Sequence, residues 1–236
     1  SPDFLWGHYM DAHKPFIPEQ AIRPPKVEVS QEKLGELNSY ELENDPPAQQ
    51  YQELLWDLYK ANVRYMDKAL AKLLTALREL DWYSEALIIL VSDHGELFGE
   101  HGNMWHPMTI DPVDELIDVP LAVKFPHGKH SGEIMRHQVQ HADIPATIAA
   151  HLDKQDRTPN ETFPLSETTQ RITISKSNTS LRVTGPNGYA IDRRDGSRDT
   201  YDSPCETVIE KAQSAEFPQV RTSSGVIRGI EDVERI

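Results

Sequence analysis

The residues best suited to chemistry lie in Val91-Ser-Asp93-His94-Gly95-Glu96, where an apolar run delivers an aspartate and a histidine into a glycine turn. A carboxylate beside an imidazole places a hard donor next to a borderline one, a pairing that often holds divalent cations. The same spacing suits a plain turn in which Asp93 caps the loop and His94 is simply hydrogen-bonded, and both possibilities stay open at this level. Three of the ten histidines, His13, His101 and His106, fall in loops that follow apolar, strand-like runs. Neutral imidazole ligates metal or moves protons near neutral pH, and its protonated form binds anionic oxygens. Taken singly, each is more commonly an ordinary surface or core histidine. Two donors leave a metal site incomplete. Cys205, in Ser203-Pro-Cys205-Glu206, has no basic neighbour to activate its thiol and reads as structural.

These residues need elements to position them. Ser84 to Asp93 contains Leu87-Ile-Ile-Leu-Val91, apolar without alternation, as in a strand covered on both faces of a parallel α/β sheet. The segment Gly95 to Asp118, rich in Gly, His and Pro, follows that strand's C-terminal end, the edge at which open α/β sheets bind ligands. From Ala48 to about Leu80 apolar residues recur at steps of three and four, from Leu54, Leu55 and Leu58 to Leu73, Leu74 and Leu77, which predicts a long helix. Phe4 to Met10 reads as a buried strand running into the loop at Asp11-Ala-His13. Residues 14 to 50 read as an extended, proline-rich connection with a short helix near Gln31 to Leu37. Pro120 to Phe125 and His137 to Ala142 are predicted as strands, and Asp143 to Leu152 as a helix with Asp143 as N-cap.

After about residue 155 the texture changes. Asp156 to Thr169 is polar loop, and Arg171 to Ser175, Leu181 to Thr184 and Tyr189 to Ile191 alternate apolar with polar residues around Gly185-Pro-Asn-Gly188. The tail from Ser203 is weakly patterned, with one short helix. The expected fold is therefore α/β: a mostly parallel sheet with flanking helices over residues 1–154, and a small antiparallel α+β subdomain over 155–236.

The 236 residues suffice for one large or two small domains, and 38% hydrophobic content marks a globular chain. The longest apolar run, Ala86 to Val91, is far short of the roughly 20 residues of a membrane-spanning helix. A single cysteine rules out an internal disulfide and mildly favours the cytoplasm. With 38 acidic against 24 basic residues, net −14, the surface repels polyphosphates and anionic lipids, so neither nucleic acid nor membrane is an expected partner. Acidity spread along the chain also suits a surface solvated in high salt. The first ten residues carry no initiator Met and no signal-peptide pattern, so the chain reads as beginning inside a fold.

Ser92-Asp93-His94-Gly95-Glu96 together with Gly99-Glu100-His101-Gly102 resembles the metal-binding segment of the sulfatase branch of the alkaline phosphatase superfamily. Three further stretches agree in order and spacing. Tyr9-Met-Asp-Ala-His13-Lys-Pro15 resembles the strand and loop carrying an active-site histidine. The run from Tyr59 to Leu80 resembles the family's long helix. Glu115-Leu-Ile-Asp-Val-Pro120-Leu with His141-Ala-Asp143-Ile-Pro145-Ala-Thr147 resembles the strand and helix that follow the site. The matches cover about residues 3 to 152.

The resemblance implies roles. Asp93 and His94 are metal ligands, and His13 binds the anion or protonates the leaving oxygen. His106, in Trp105-His106-Pro107, stands where many members carry Lys, and His101 lies behind the ligands. Calcium is common in the family, and a histidine at 94 brings manganese into competition. The family's Cys/Ser-x-Pro-x-Arg nucleophile segment and early aspartate pair do not occur here, and formylglycine is expected only in a missing N-terminal part. The chain thus resembles a C-terminal portion that should not turn over by itself. The implied function is metal-dependent hydrolysis of sulfate esters of small molecules or glycans. A phosphodiester or phosphonate monoester hydrolase and a non-catalytic module are the alternatives, and the missing half or a second copy the expected protein partner.

Overall fold

In the computed structural model, the described residues are 4–16, 30–38, 47–153, 164–167, 171–201, 221–222 and 225–226. They belong to two compact units, one of Ser1–Met108 with Val113–Glu133 and one of Thr109–Pro112 with Ile134–Ile236.

The first unit is organised on the predicted long helix. After a short helix α1 (Gln31–Asn38), α2 runs over Gln49–Glu79 and buries Leu55, Leu58, Ala61 and Asn62. The three-and-four spacing puts these side chains on one stripe, and Leu70, Leu73, Leu74 and Leu77 continue it half-buried. Its partner is a small ribbon, β2 (Leu97–Phe98) antiparallel to β3 (Met104–Trp105). Phe16, Leu55, Leu58, Phe98, Met104 and Trp105 form the core, with Tyr51, Leu54 and Tyr59 packed against it. Phe16 is its aromatic hub, with ring centroids 5.6 Å from Tyr59, 5.7 Å from Phe98 and 5.9 Å from Trp105, the tilted and edge-on distances that aromatic pairs favour.

Two sequence expectations are corrected here. Phe4–Met10 is neither strand nor buried: Phe4 is 64% and Trp6 68% exposed, and a turn closed by His13 N donating to Met10 O (3.0 Å) leaves Phe16 as the residue that enters the core. The predicted strand at 84–93 forms as β1 (Ile88–Val91), and that at 120–125 as β4 (Leu121–Lys124). They pair with each other, and the direction is antiparallel, Ile88 opposite Lys124 and Val91 opposite Leu121. Every ladder among the described residues is antiparallel, so the parallel pairing expected from an unalternating apolar run does not appear among them. Nor is the run covered on both faces: no residue of β1 is buried among the described residues, and Leu90 is 40% exposed. A short helix α3 (Asp114–Ile117) precedes β4.

In the second unit, α4 (Asp143–His151) matches the predicted helix, with Ala142 rather than Asp143 at the N-cap. Asp143 is fully buried; its Oδ2 accepts from Gln140 N (2.9 Å) and pairs with Arg171. His137–Ala142 is not a strand. Its glutamines reach sideways instead, Gln138 to Thr173 and Gln140 to Ile174 N. The alternating segments form the expected antiparallel sheet: β5 (Thr173–Lys176), β6 (Ser180–Gly185), β7 (Gly188–Arg193) and β8 (Arg198–Tyr201), in sequential order. Val183 and Ala190, opposite one another, are its buried centre. The tail's predicted helix lies outside the described residues, where only the two-residue strands β9 (Arg221–Thr222) and β10 (Gly225–Val226) are described. No described helix is long and apolar enough to cross a membrane.

Candidate active site

β1 ends at Val91, and the next four residues turn sharply. Ser92 Oγ donates to His94 O (2.7 Å), and His94 N donates to Asp93 Oδ1 (3.0 Å). His94 Nδ1 lies 2.8 Å from Gly95 O. A carbonyl only accepts, so the proton is on Nδ1 and Nε2 of the neutral ring carries a lone pair. That Nε2 is 3.8 Å from Asp93 Oδ2, and both side chains are partly open to solvent. The hydrogen bonds of the turn do not use His94 Nε2 as a donor, so the turn and metal donation by Asp93 and His94 are compatible. Gly95 permits this turn to lie against α3: its N–H donates to Leu116 O (2.9 Å), and a Cβ at this position would sit 1.9 Å from Glu115 O.

The β2–β3 ribbon brings the rest of the site together. Gly99, at φ 118°, opens its connecting loop, and Gly99 N donates to Asn103 O (3.0 Å). With Leu97 opposite Trp105, the next step along the ribbon sets Glu96 across from His106. Their side chains meet there, His106 Nδ1 to Glu96 Oε1 at 2.8 Å, the carboxylate only 7% exposed and the imidazole 31%. His106 also lies with its ring centroid 4.2 Å from His94 and 5.6 Å from His13. His13 Nδ1 is 2.6 Å from Lys14 O, which fixes its proton on Nδ1 in the same way. Trp105, just before His106, holds a left-handed backbone (φ 68°), a costly conformation for a bulky residue that its burial in the core enforces.

The electrostatics follow from these contacts. The hydrogen bond to Glu96 raises the His106 pKa above its ordinary value; burial opposes this, the charges of Glu96 and Asp93 add to it, and Lys14 subtracts. Burial pushes the Tyr59 phenol up, and the Glu96 charge adds to that.

Of the residues singled out in the sequence, the structure thus brings Asp93, His94, His106 and His13 together. His101 Nε2 meets Glu115 Oε2 of α3 instead, at 3.0 Å, from the turn at Glu100–Gly102. Glu96 was not singled out. Its signal was the glycine-bounded hairpin after it: pairing outward from that turn puts 96 across from 106. Among the described residues, no three His, Cys, Asp or Glu side chains are grouped to hold a metal. Asp93 and His94 fit a divalent cation by donor type.

An antiparallel strand pair ending in an Asp-His turn, a long helix and a loop rich in imidazole make up this site, and comparison with known proteins gives the family. A family model described as Sulfatase matches residues 1–154, and the chain belongs to the sulfatase family. Among solved structures it is similar to a phosphonate monoester hydrolase from Silicibacter pomeroyi, with TM-score 0.61 and 14% identity over 77% of this chain and 46% of that one. It is similar also to yidJ, a sulfatase candidate from Bacteroides fragilis, with TM-score 0.61 and 14% identity over 86% and 49%. A third is a protein solved with its substrate D-glucosamine-2-N,6-O-disulfate, with TM-score 0.52 and 16% identity over 78% and 42%. The chain thus spans less than half the length of these structures. No curated protein sequence matches it.

Proposed function

We propose that the protein containing this chain is a metal-dependent hydrolase of sulfate esters, of a small molecule or a glycan. The observation that carries the proposal is the juxtaposition of the Asp93–His94 donor pair with the imidazole of His106, 4.2 Å from His94 ring to ring. A divalent cation, calcium or manganese, bound in part by Asp93 Oδ2 and His94 Nε2, would supply Lewis-acid charge for the ester oxygens and for ionising a nucleophile.

This chain's residues would do the remainder. His106, tied through Nδ1 to Glu96, offers Nε2–H when protonated to an oxygen of the anion. His13, tied through Nδ1 to the Lys14 carbonyl, offers Nε2 as the proton donor to the leaving oxygen. The nucleophile, a formylglycine in this reading, comes from outside these 236 residues, which contain no Cys/Ser-x-Pro-x-Arg.

The test is hydrolysis of 4-nitrophenyl sulfate and of a phosphonate monoester by the complete gene product, before and after chelation and with Asp93→Ala and His94→Ala. Sulfate-ester turnover that is lost on chelation, restored by calcium or manganese and lowered on the order of 100-fold by either substitution supports the proposal. Undiminished turnover with Asp93→Ala removes its ligand role. Turnover of the phosphonate alone moves the protein to the related phosphonate chemistry; no turnover and no metal binding make it a non-catalytic module of the fold.

A further inference from the structure

Glu96 places a buried carboxylate beside the site, and its contact is specific: Oε1 lies 2.8 Å from Nδ1 of His106. A buried carboxylate needs a hydrogen-bond donor, and Nδ1–H supplies it. The consequence for His106 is a fixed tautomer. A free neutral imidazole chooses between its two nitrogens, whereas a carboxylate on one side holds the proton there and fixes the ring plane. Two rings lie tilted beside this one, His94 at 4.2 Å and His13 at 5.6 Å, so a ring flip at His106 would disturb all three.

We propose that Glu96 is a positioning residue, which by accepting the Nδ1–H of His106 holds that ring so that Nε2–H of its protonated form is the donor presented to a tetrahedral oxyanion. This rests on the reading of His106 as an anion-binding group. The lock is built from the ribbon register: Glu96 immediately precedes β2 and His106 immediately follows β3, so neither side chain spans a loop to reach the other. The rival explanation, that His106 merely satisfies a buried carboxylate, predicts loss of stability on substitution without a change in which nitrogen meets the anion.

Long-range 1H–15N spectra of the histidines, recorded on the complete gene product as wild type, Glu96→Gln and Glu96→Ala, separate the two, with inorganic sulfate as the probe. The expected result is a protonated Nδ1 on His106 at alkaline pH in the wild type, and a mixed or inverted tautomer in Glu96→Ala. Sulfate, added at acidic pH where both ring nitrogens carry protons, is expected to perturb Nε2 of His106 in the wild type and to bind roughly 10-fold more weakly in Glu96→Ala, in line with the 10- to 100-fold effects of groups that orient a site histidine. Glu96→Gln, close to isosteric and still an acceptor, should fold and fall between them. An Nδ1 proton that survives in Glu96→Ala, or sulfate affinity equal in all three, overturns the proposal. If the tautomer and sulfate binding change as expected but no ester is hydrolysed by the wild type, the hydrolase reading fails and the role of Glu96 on the anion stands.

Discussion

The Asp93–His94 turn is built from local parts: an apolar strand, a glycine and two adjacent side chains tied by short hydrogen bonds. The contact of Glu96 is not local, since its partner lies ten residues on and meets it only through the register of a two-residue ribbon, and so it was not legible in the sequence. Gly95 belongs to the same local set, for a reason only the packing reveals. The atom that a Cβ would meet 1.9 Å away is the Glu115 carbonyl, part of the backbone of α3, so no side chain can swing aside to relieve the clash. Gly95→Ala is therefore expected to force the Asp93–His94 turn and α3 apart at a cost of about 1–3 kcal/mol, the range for overpacking a tight site. Urea denaturation of the wild type and the variant checks this. An unchanged midpoint would show that the loop yields freely and that the close approach plays no part in holding the site.

The elements divide by how far their determinants reach along the chain. The periodic stripe of α2 and the alternating hairpins of β5 to β7 carry their determinants within a dozen residues, and both formed where the pattern put them. Phe4–Met10 and His137–Ala142 did not form strands because apolar or mixed content does not name a partner; one lies exposed, and the other spends its glutamines on β5. The four-stranded sheet is tied to the segment Thr109–Pro112, whose role has no periodic signal at all. Arg182 Nη1 donates to Pro112 O (3.0 Å), Thr179 Oγ1 to Thr109 O (3.0 Å), and Arg193 grips Asp111 through Nε (2.9 Å) and Nη2 (2.6 Å).

This last pair gives a pH dependence whose sign can be worked out. Burial pushes the Asp111 carboxyl up, but the hydrogen bonds from Arg193 and Ser180 outweigh it and hold its pKa below the usual carboxylate range. A depressed folded-state pKa adds stability that is fully present above the unfolded value, near 4, and is lost as pH falls through the depressed one. Comparing wild type with Asp111→Asn by thermal or urea unfolding across that interval should show a difference of about 1 kcal/mol near neutrality, since the pair is partly solvated, shrinking to nothing in acid. A difference that stays constant with pH would mean that shape and neutral hydrogen bonding, not the ionic pair, hold this strap.

At the scale of the whole molecule, 38 acidic residues face 24 basic ones, and their surplus of 14 negative charges acts over distances that no single contact describes. Salt pulls in two directions here. It screens the mutual repulsion of the surplus charge, which is worse in the compact state than in the expanded one, and it weakens attractive pairs. Buried or partly buried attractive pairs such as Arg171 with Asp143, His106 with Glu96 and Arg193 with Asp111 are in hydrogen-bond contact, far inside any Debye length, and lose little. The repulsion is summed over the molecular surface and loses much as that length falls from about 30 Å at 0.01 M to about 8 Å at 0.15 M. Repulsion should therefore dominate the response, and the melting temperature should rise with sodium chloride across this interval. A gain of about 1 kcal/mol corresponds to roughly 2–4 °C for a chain of this size. Keeping the series below physiological ionic strength separates screening from the strengthening of apolar burial by concentrated salts. A melting temperature that is flat or falls over the same range would show that local ion pairs, and not the net charge, set the electrostatic stability of the molecule.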